Sequence, residues 1–393
     1  MSAEVVIVGA ARTAQGKLQG SLSGVPAHEL GATAIRGALR RAGADAEHVD
    51  AVVMGQVLQA GCGQNPARQA SIAAGIPWSV PAGTVNRVCL SGLSAVIDAA
   101  RMIRLGEVEV AVAGGMESMS LAPHLMPGSR SGWRYGSIEV LDHLAHDALT
   151  DAFERDSMGA STERHNAHFG VSREDQDAWA ARSHERAAEA QAAGIFDGEI
   201  EPVTVPQRRG DDVEVTVDEG VRGDTTAVAL ARLRPAFSPE GSITAGNASQ
   251  ISDGAAAVVL TTRERAEREG WAVMAVLGAH GQVAGPDPSL QEQPARAIEA
   301  ACAADGIDAR DIDMVEINEA FGAVVARSQS MLGVDAERVN IHGGGIAVGH
   351  PVGASGARLV VHAAHELARR GGGTAVVALC GGGGQGDALL LRA

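Results

Sequence analysis

Residues 34–57 read AIRGALRRAGADAEHVDAVVMGQV, and residues 297–320 read AIEAACAADGIDARDIDMVEINEA. The two stretches align without a gap. They share Ala34/Ala297, Ile35/Ile298, Ala38/Ala301, Gly43/Gly306, Asp45/Asp308, Ala46/Ala309, Asp50/Asp313 and Val52/Val315. Each reads as a helix, a glycine that stops it, a short turn and then an apolar strand. A unit repeated in the far half of a chain is the mark of a duplicated architecture.

Further matches follow in the same order. Ser91-Gly92 opens a helix-like run that leads to the strand VEVAVAGG (108–115), and Ser355-Gly356 opens another that leads to TAVVALCGGG (374–383). The first strand, VVIVGA (5–10), pairs more weakly with AVMAVLGA (272–279). Helices alternating with apolar strands predict α/β layers with buried, mainly parallel sheets. Residues from about 120 to 245 differ in texture, with the charged helical stretch 172–194 and a polar run containing Arg208, Arg209, Asp211 and Asp212. They read as a large insertion, after which ISDGAAAVVL (251–260) returns to the first sheet. The expected organisation is a first half at 1–120 completed by 246–270, an inserted loop domain at 121–245, and a second half at 271–393.

The chain has 393 residues, 45% of them hydrophobic and 20% charged, with a mean hydropathy of +0.03. That is the profile of a soluble globular protein. A net charge of −16 argues against nucleic acid and anionic membranes as partners. It does not forbid an anionic small ligand, because arginines and backbone N–H groups can hold one locally. The opening MSAEVVIVGAART lacks the basic and long apolar regions of a secretory signal, and no apolar run is long enough to span a membrane. Four widely spaced cysteines suit a reducing cytosol, so the expected location is cytoplasmic. His143/His146 and His165/His168 each lie three apart and read as solvated helix faces, and no metal is expected.

Four segments carry chemistry. In TVNRVCLSGLSAVIDAARMI (84–103), Cys89 precedes a helix among small residues. The positive end of a helix dipole there is expected to favour thiolate. VNIHGGGIAVGHPVGASGARLV (339–360) is a glycine-rich loop that fixes His350 by backbone, and a histidine near a cysteine can act as its base. In ALCGGGGQGDALLL (378–391), Cys380 ends a strand and enters four glycines whose N–H groups could form an oxyanion hole. In VEINEAFGAV (315–324), Asn318 and Glu319 follow a strand, where they would cap the next helix or reach into a site.

These blocks together resemble the thiolase family. The stretch around Cys89, NEAF (318–321), GGGIAVGHP (343–351) and CGGGGQG (380–386) look like its four signature blocks, in order, and VGAART (8–13), GGMESMS (114–120) and TAGNAS (244–249) also look like thiolase segments. The resemblance covers nearly the whole chain. It implies two βαβαβαββ halves in a five-layer α-β-α-β-α arrangement with an inserted loop domain. It implies that Cys89 carries the acyl group, that His350 activates it, and that Cys380 is the acid/base. It also implies that His350 and a water on Asn318 stabilise an enolate, while the N–H groups of Cys89 and Gly382 form a second oxyanion hole. Positions similar to the family's CoA contacts are Leu149, Met158, Arg222, Phe237, Ala245 and Ser249. Coenzyme A would be substrate and product, with no other cofactor.

The likeness points to condensation of two acetyl-CoA into acetoacetyl-CoA, or the reverse thiolysis, by a ping-pong mechanism. A thiolase for longer 3-ketoacyl-CoA, or a non-catalytic CoA or lipid carrier on the same fold, are the alternatives. This chain departs from the family at Ser157, Ala229, His342 and the segment AGPDPSLQEQPARAI (284–298), which bears on acyl-chain preference. Family members are commonly dimers of dimers, and the loop at 127–137 resembles their joining region, so a homotetramer is expected.

Overall fold

In the computed structural model, which describes residues 3–393, the two repeat units fold alike. Helix α1 (Ala27–Ala42) ends at Gly43, whose φ of 67° is the left-handed conformation that glycine adopts without strain. Its counterpart (Gln293–Asp305) ends at Gly306 with φ 73°. Short 3₁₀ turns at Ala46–His48 and Ala309–Asp311 then lead into strands Ala51–Gly55 and Met314–Ile317.

The main strands are β1 (Val5–Thr13), β2 (Ala51–Gly55), β3 (Ala82–Val85), β4 (Val110–Ser118), β5 (Ser252–Thr262), β6 (Ala275–Ala284), β7 (Met314–Ile317), β8 (Thr374–Gly381) and β9 (Gln385–Arg392). They form one hydrogen-bonded sheet in the order β7-β8-β9-β6-β1-β5-β4-β2-β3. The junction between its two wings is narrow: β1 meets β6 only at Val6↔Val276 and Ile7↔Ala275. The other helices used below are α2 (Pro66–Ala73), α3 (Ser91–Arg104), α4 (Met158–Phe169), α5 (Arg173–Ala192), α6 (Gln293–Asp305), α7 (Gly322–Leu332) and α8 (Ser355–Arg370).

Side-chain alternation assigns the layers. Val6, Val8 and Ala11 of β1 join the cluster that packs on α1 and α2, whereas Val5, Ile7 and Ala10 join Leu93, Ile97, Leu359 and Val360 of α3 and α8. Val315 and Ile317 of β7 pack with Ile298 of α6 and Val325 of α7. The result is helix, sheet, central helices, sheet, helix. The central pair packs closely because a Cβ on Gly92 would lie 2.9 Å from the Ala357 nitrogen, and one on Gly356 would lie 2.5 Å from the Leu93 nitrogen.

The sheet is mixed rather than mainly parallel. β2 pairs in parallel with β3 and β4, and β7 with β8. β5 runs antiparallel to both β1 and β4, while β9 runs antiparallel to both β8 and β6. The reasons are local. β8 and β9 are joined by a glycine turn with no crossover helix, and β5 re-enters the sheet after the long stretch that begins past Ser118.

Candidate active site

Cys89 sits on a strained turn between β3 and α3. The preceding Val88 has φ 52°, an unusual conformation for a β-branched residue. Ser91 holds the turn: its Oγ accepts from the Arg87 N–H at 2.8 Å and donates to the Val88 carbonyl at 2.6 Å. Asn86 Oδ1 accepts from the Val88 N–H at 3.0 Å. Arg87 reaches across to the other half of the chain, donating to Asp387 Oδ2 at 2.6 Å, and Ser94 Oγ donates to the same oxygen at 3.0 Å. Asp387 is fully buried, so this charge-assisted contact clamps the turn onto β9.

The backbone N–H groups of Cys89 and Gly382 act to lower the Cys89 thiol. Even so, burial pushes the Cys89 thiol up to about 12. Cys380, at the end of β8, is raised further, by burial and then by the neighbouring Cys89. The expected bias of Cys89 toward thiolate is therefore reversed. The helix begins two residues beyond the sulfur, and desolvation outweighs its dipole and the two N–H contacts.

His350 is 5% exposed. Its N–H donates to the Gln250 carbonyl at 3.1 Å. Gly349 before it has φ 113°, and a Cβ there would lie 2.4 Å from Ser252 Oγ, so only glycine delivers the ring to this place. Ser355 Oγ donates to the Pro351 carbonyl at 2.9 Å and lies 2.6 Å from His350 Nδ1. With its one proton used, the hydroxyl must accept from Nδ1–H. That leaves a lone pair on Nε2, and the amide nitrogen of Asn318 lies against the ring, 3.3 Å from Nε2 and 3.4 Å from Nδ1. Burial, and then the charge of Arg358, lower His350 to about 3, so the imidazole is neutral at rest. Asn318 is fully buried, and its Oδ1 has no donor among the described residues.

Two buried carboxylates escaped the sequence reading as scaffold. Glu319 does not cap α7, whose N-cap is Phe321. It accepts instead from Trp179 Nε1 (3.0 Å), Ser183 Oγ (2.6 Å), Asn340 Nδ2 (2.8 Å) and the Ile346 N–H (3.1 Å). It thereby ties α5 to the glycine loop beside Asn318. Glu117 accepts from the N–H groups of Val57, Leu58 and Gly353, yet burial still raises it to about 7. Their only signal was an acid within an apolar strand or directly after one.

The positions resembling CoA contacts divide into two groups. Met158 bonds back to Leu149, its N–H donating to the Leu149 carbonyl at 2.8 Å. Leu149 and Cys89 pack against the same cluster of Val57, Leu58, Met119, Ala148 and Val352, and Met158 packs against the cluster that holds Cys380, Leu290 and Phe321. Phe237 stacks edge-on against Phe321 with ring centroids 6.3 Å apart, and the Ser249 N–H donates to the Ala320 carbonyl at 3.0 Å. These four lie on the segments that pack with the clusters holding Cys380 and Cys89. Ala245 and Arg222 are exposed, and Arg222 follows Val221, which packs on Ala347 and Val348 of the glycine loop.

The departures from the family pattern also find places. Ser157 caps α4, its Oγ accepting from the Ala160 N–H at 3.2 Å. Gln291 donates to the Thr162 carbonyl and Asn166, and Gln293 donates to the Gly285 and Ser289 carbonyls, so segment 284–298 is pinned by two buried amides. His342 Nδ1 lies 3.2 Å from His362, which pairs with Glu199 at 2.9 Å. His143 is not on a solvated face: it is buried, 2.6 Å from Asp147. Among the described residues no group of three or more His, Cys, Asp or Glu is placed to hold a metal, and no helix is long and apolar enough to cross a membrane.

Residues 5–264 match the N-terminal domain of thiolases and residues 271–393 the C-terminal domain. The chain is 56% identical to a probable acetyl-CoA acetyltransferase of Mycolicibacterium smegmatis, over 98% of this chain and 100% of that protein. It is 49% identical to the acetyl-CoA acetyltransferase of Pseudomonas aeruginosa, over 99% of each. The crystal structure of the Bacillus anthracis acetyl-CoA acetyltransferase superposes with a TM-score of 0.96 at 38% identity, covering 100% of this chain and 99% of that one. Two thiols, a preset imidazole and two matching domains have one common explanation: the chain belongs to the thiolase family.

Proposed function

We propose that the protein is an acetyl-CoA C-acetyltransferase that joins two acetyl-CoA into acetoacetyl-CoA and CoA, or runs the reverse thiolysis. The observation that carries the reading is the convergence of half-buried Cys89 with buried Cys380, beside the backbone N–H groups of Cys89 and Gly382. His350 Nε2 takes the Cys89 proton as the sulfur attacks a thioester carbonyl. A new S–C bond forms, the bond to the CoA sulfur breaks, and Cys380 protonates the departing CoA thiolate. The two N–H groups stabilise the tetrahedral oxyanion. In the second half-reaction Cys380 removes an α-proton from the incoming acetyl-CoA. The enolate oxygen is held by His350 Nε2–H and by a water on Asn318, whose bare Oδ1 supports that role. The enolate carbon attacks the acyl carbon on Cys89, and the thioester to Cys89 breaks. Because the acyl group rests on the enzyme between substrates, the kinetics are ping-pong.

Leu149, Met158, Phe237, Ala245 and Ser249 would line the pantetheine path, with Arg222 meeting a phosphate from its exposed position. Coenzyme A is substrate and product, and the reaction needs no further cofactor. Cytoplasmic residence agrees with four free cysteines. A homotetramer is supported by two surfaces. β3 ends the sheet as an edge strand, and Trp133, Tyr135, Ile138 and Val140 stand exposed on the loop beyond Leu121.

The test is thiolysis of acetoacetyl-CoA with free CoA, beside a longer 3-ketoacyl-CoA and a Cys89→Ala control. Rapid cleavage of acetoacetyl-CoA that vanishes in the control supports the proposal. Cleavage of only the longer substrate moves the assignment to a longer-chain thiolase, and no cleavage of either by folded protein leaves a carrier.

A further inference from the structure

Glu117, near the end of β4, is fully buried, and the mechanism above does not use it. Its Oε2 accepts from the Val57 N–H at 3.0 Å and the Gly353 N–H at 2.9 Å, and its Oε1 accepts from the Leu58 N–H at 3.1 Å. These donors come from opposite halves of the chain. Val57 and Leu58 follow β2 and belong, with Val352, to the cluster against which Cys89 packs. Gly353 lies in the short turn between His350 and Ser355, where the N–H groups of Ala354 and Ser355 donate to the Pro351 carbonyl at 2.9 and 3.0 Å. One carboxylate therefore grips both the packing under Cys89 and the turn that carries His350.

The carbonyl of Gly353 is enclosed as closely as its N–H. A Cβ on Gly55 of β2 would lie 2.8 Å from that oxygen, one on Gly92 of α3 2.9 Å, and one on Gly115 of β4 2.1 Å. Gly353 has no room for a side chain either, because its Cβ would meet Glu117 Oε2 at 2.6 Å and the Gln56 Cα at 2.8 Å. A turn of the second half is thus seated in a notch of first-half backbone, with its N–H held by Glu117. Gly92 follows Cys89, and Gly353 follows His350, by the same short stretch of chain. This seat is where the two halves fix their reactive side chains against each other. The three hydrogen bonds to Glu117 are charge-assisted, and loss of the acceptor would leave three buried N–H groups unpaired.

We propose that Glu117 is a positioning residue that sets the place of His350 relative to Cys89 by holding the Gly353 N–H in this notch. It acts through the Pro351–Ser355 turn. With Gly353 held, Ser355 Oγ stays against His350 Nδ1, and Nε2 stays aimed for the Cys89 proton. A small slip of the turn moves the ring, and a misplaced base loses rate without loss of substrate binding. The proposal rests on the reading of His350 as the base for Cys89. Wild-type thiolysis, and its loss in Cys89→Ala and His350→Ala, test that reading separately.

The experiment is a double-mutant cycle on kcat for acetoacetyl-CoA thiolysis, with KM for CoA read alongside, in folded variants. Glu117→Met, of similar volume but without the acceptor oxygens, should lower kcat about 10- to 100-fold and change KM less than about twofold. Glu117→Gln keeps one oxygen, which can take the place of Oε2 and still accept from Val57 and Gly353, so it should stay within severalfold of wild type. In a His350→Ala background, Glu117→Met should lower kcat by less than about twofold, because the group it positions is gone. A merely structural role would cost the same factor in both backgrounds, and that result would overturn the proposal. So would an unchanged kcat in Glu117→Met, or a raised KM with kcat intact. A fully active His350→Ala enzyme would overturn the reading of His350 and this proposal with it. If Glu117→Met does not fold, Glu117→Asp, whose carboxylate stops one methylene short of Gly353, carries the same cycle.

Discussion

The two central helices, α3 and α8, start alike and then diverge. Each opens with Ser-Gly. Ser91 Oγ closes on the Val88 carbonyl and Ser355 Oγ on the Pro351 carbonyl, so in both cases a serine shapes the turn that presents the reactive residue. The second contact differs. Ser91 accepts from a backbone N–H, whereas Ser355 accepts from the imidazole itself. Farther along, α3 is apolar on its buried side, with Leu93, Val96, Ile97 and Ala100. α8 instead buries Arg358, His362 and Glu366. Duplication supplied one scaffold twice. One copy became an apolar support behind Cys89, and the other a charged support behind His350. Burial keeps the Cys89 thiol protonated, and burial, then the charge of Arg358, keeps His350 neutral, so the two groups rest uncharged.

The largest effect expected from breaking this comparison lies at the nucleophile. Cys89→Ala should lower thiolysis by about 10⁴-fold or more, with no change in melting temperature large enough to signal unfolding. Cys380→Ala should also abolish turnover yet leave Cys89 open to alkylation, which mass analysis of the modified peptide can read. On the base side, His350→Ala should cost about 10²- to 10⁴-fold in kcat. Ser355→Ala should cost about tenfold in kcat, because the ring loses the acceptor that fixes its tautomer but keeps its place. Ser91→Ala should act mainly on stability, about 1 kcal/mol, since its contacts are to backbone alone.

Where the helices touch, Gly356→Ala should destabilise the protein by about 1–3 kcal/mol or more, read as a lower denaturation midpoint, because the added methyl meets backbone that cannot retreat. The smallest effect concerns acid stability. Burial pushes the Glu199 carboxyl up, but Arg12 and then His362 more than reverse it and hold it well below its ordinary value of 4.5. A carboxyl depressed in the folded state adds stability that is present above pH 4.5 and is lost as pH falls toward its folded value. Glu199→Gln should therefore flatten the fall of the denaturation midpoint below pH 4.5.

Much of this was legible in the residues. Gly43 and Gly306 marked helix ends because only glycine takes that backbone conformation cheaply, and the turns and strands after them followed in register. Cys89, His350, Cys380 and Asn318 were singled out because they sit before a helix, in a glycine loop or at a strand end, and their roles came only from the resemblance to thiolases. What stayed hidden depends on distant partners. The antiparallel course of β5 is set by strands far from it in sequence. Arg12 finds Glu199 and Asp218 across most of the inserted region. The raised Cys89 thiol reflects how many elements close over it, which no local spacing records. Glu319 looked like a capping residue because its four donors come from α5, Asn340 and the glycine loop.

The most direct test is to incubate the protein with acetyl-CoA, quench in acid, digest, and locate any acyl group by mass spectrometry. The account predicts one acetyl group, on the peptide carrying Cys89, removed when free CoA is added before quenching. An acetyl group on Cys380 instead, or none on either thiol in protein that cleaves acetoacetyl-CoA, would contradict it.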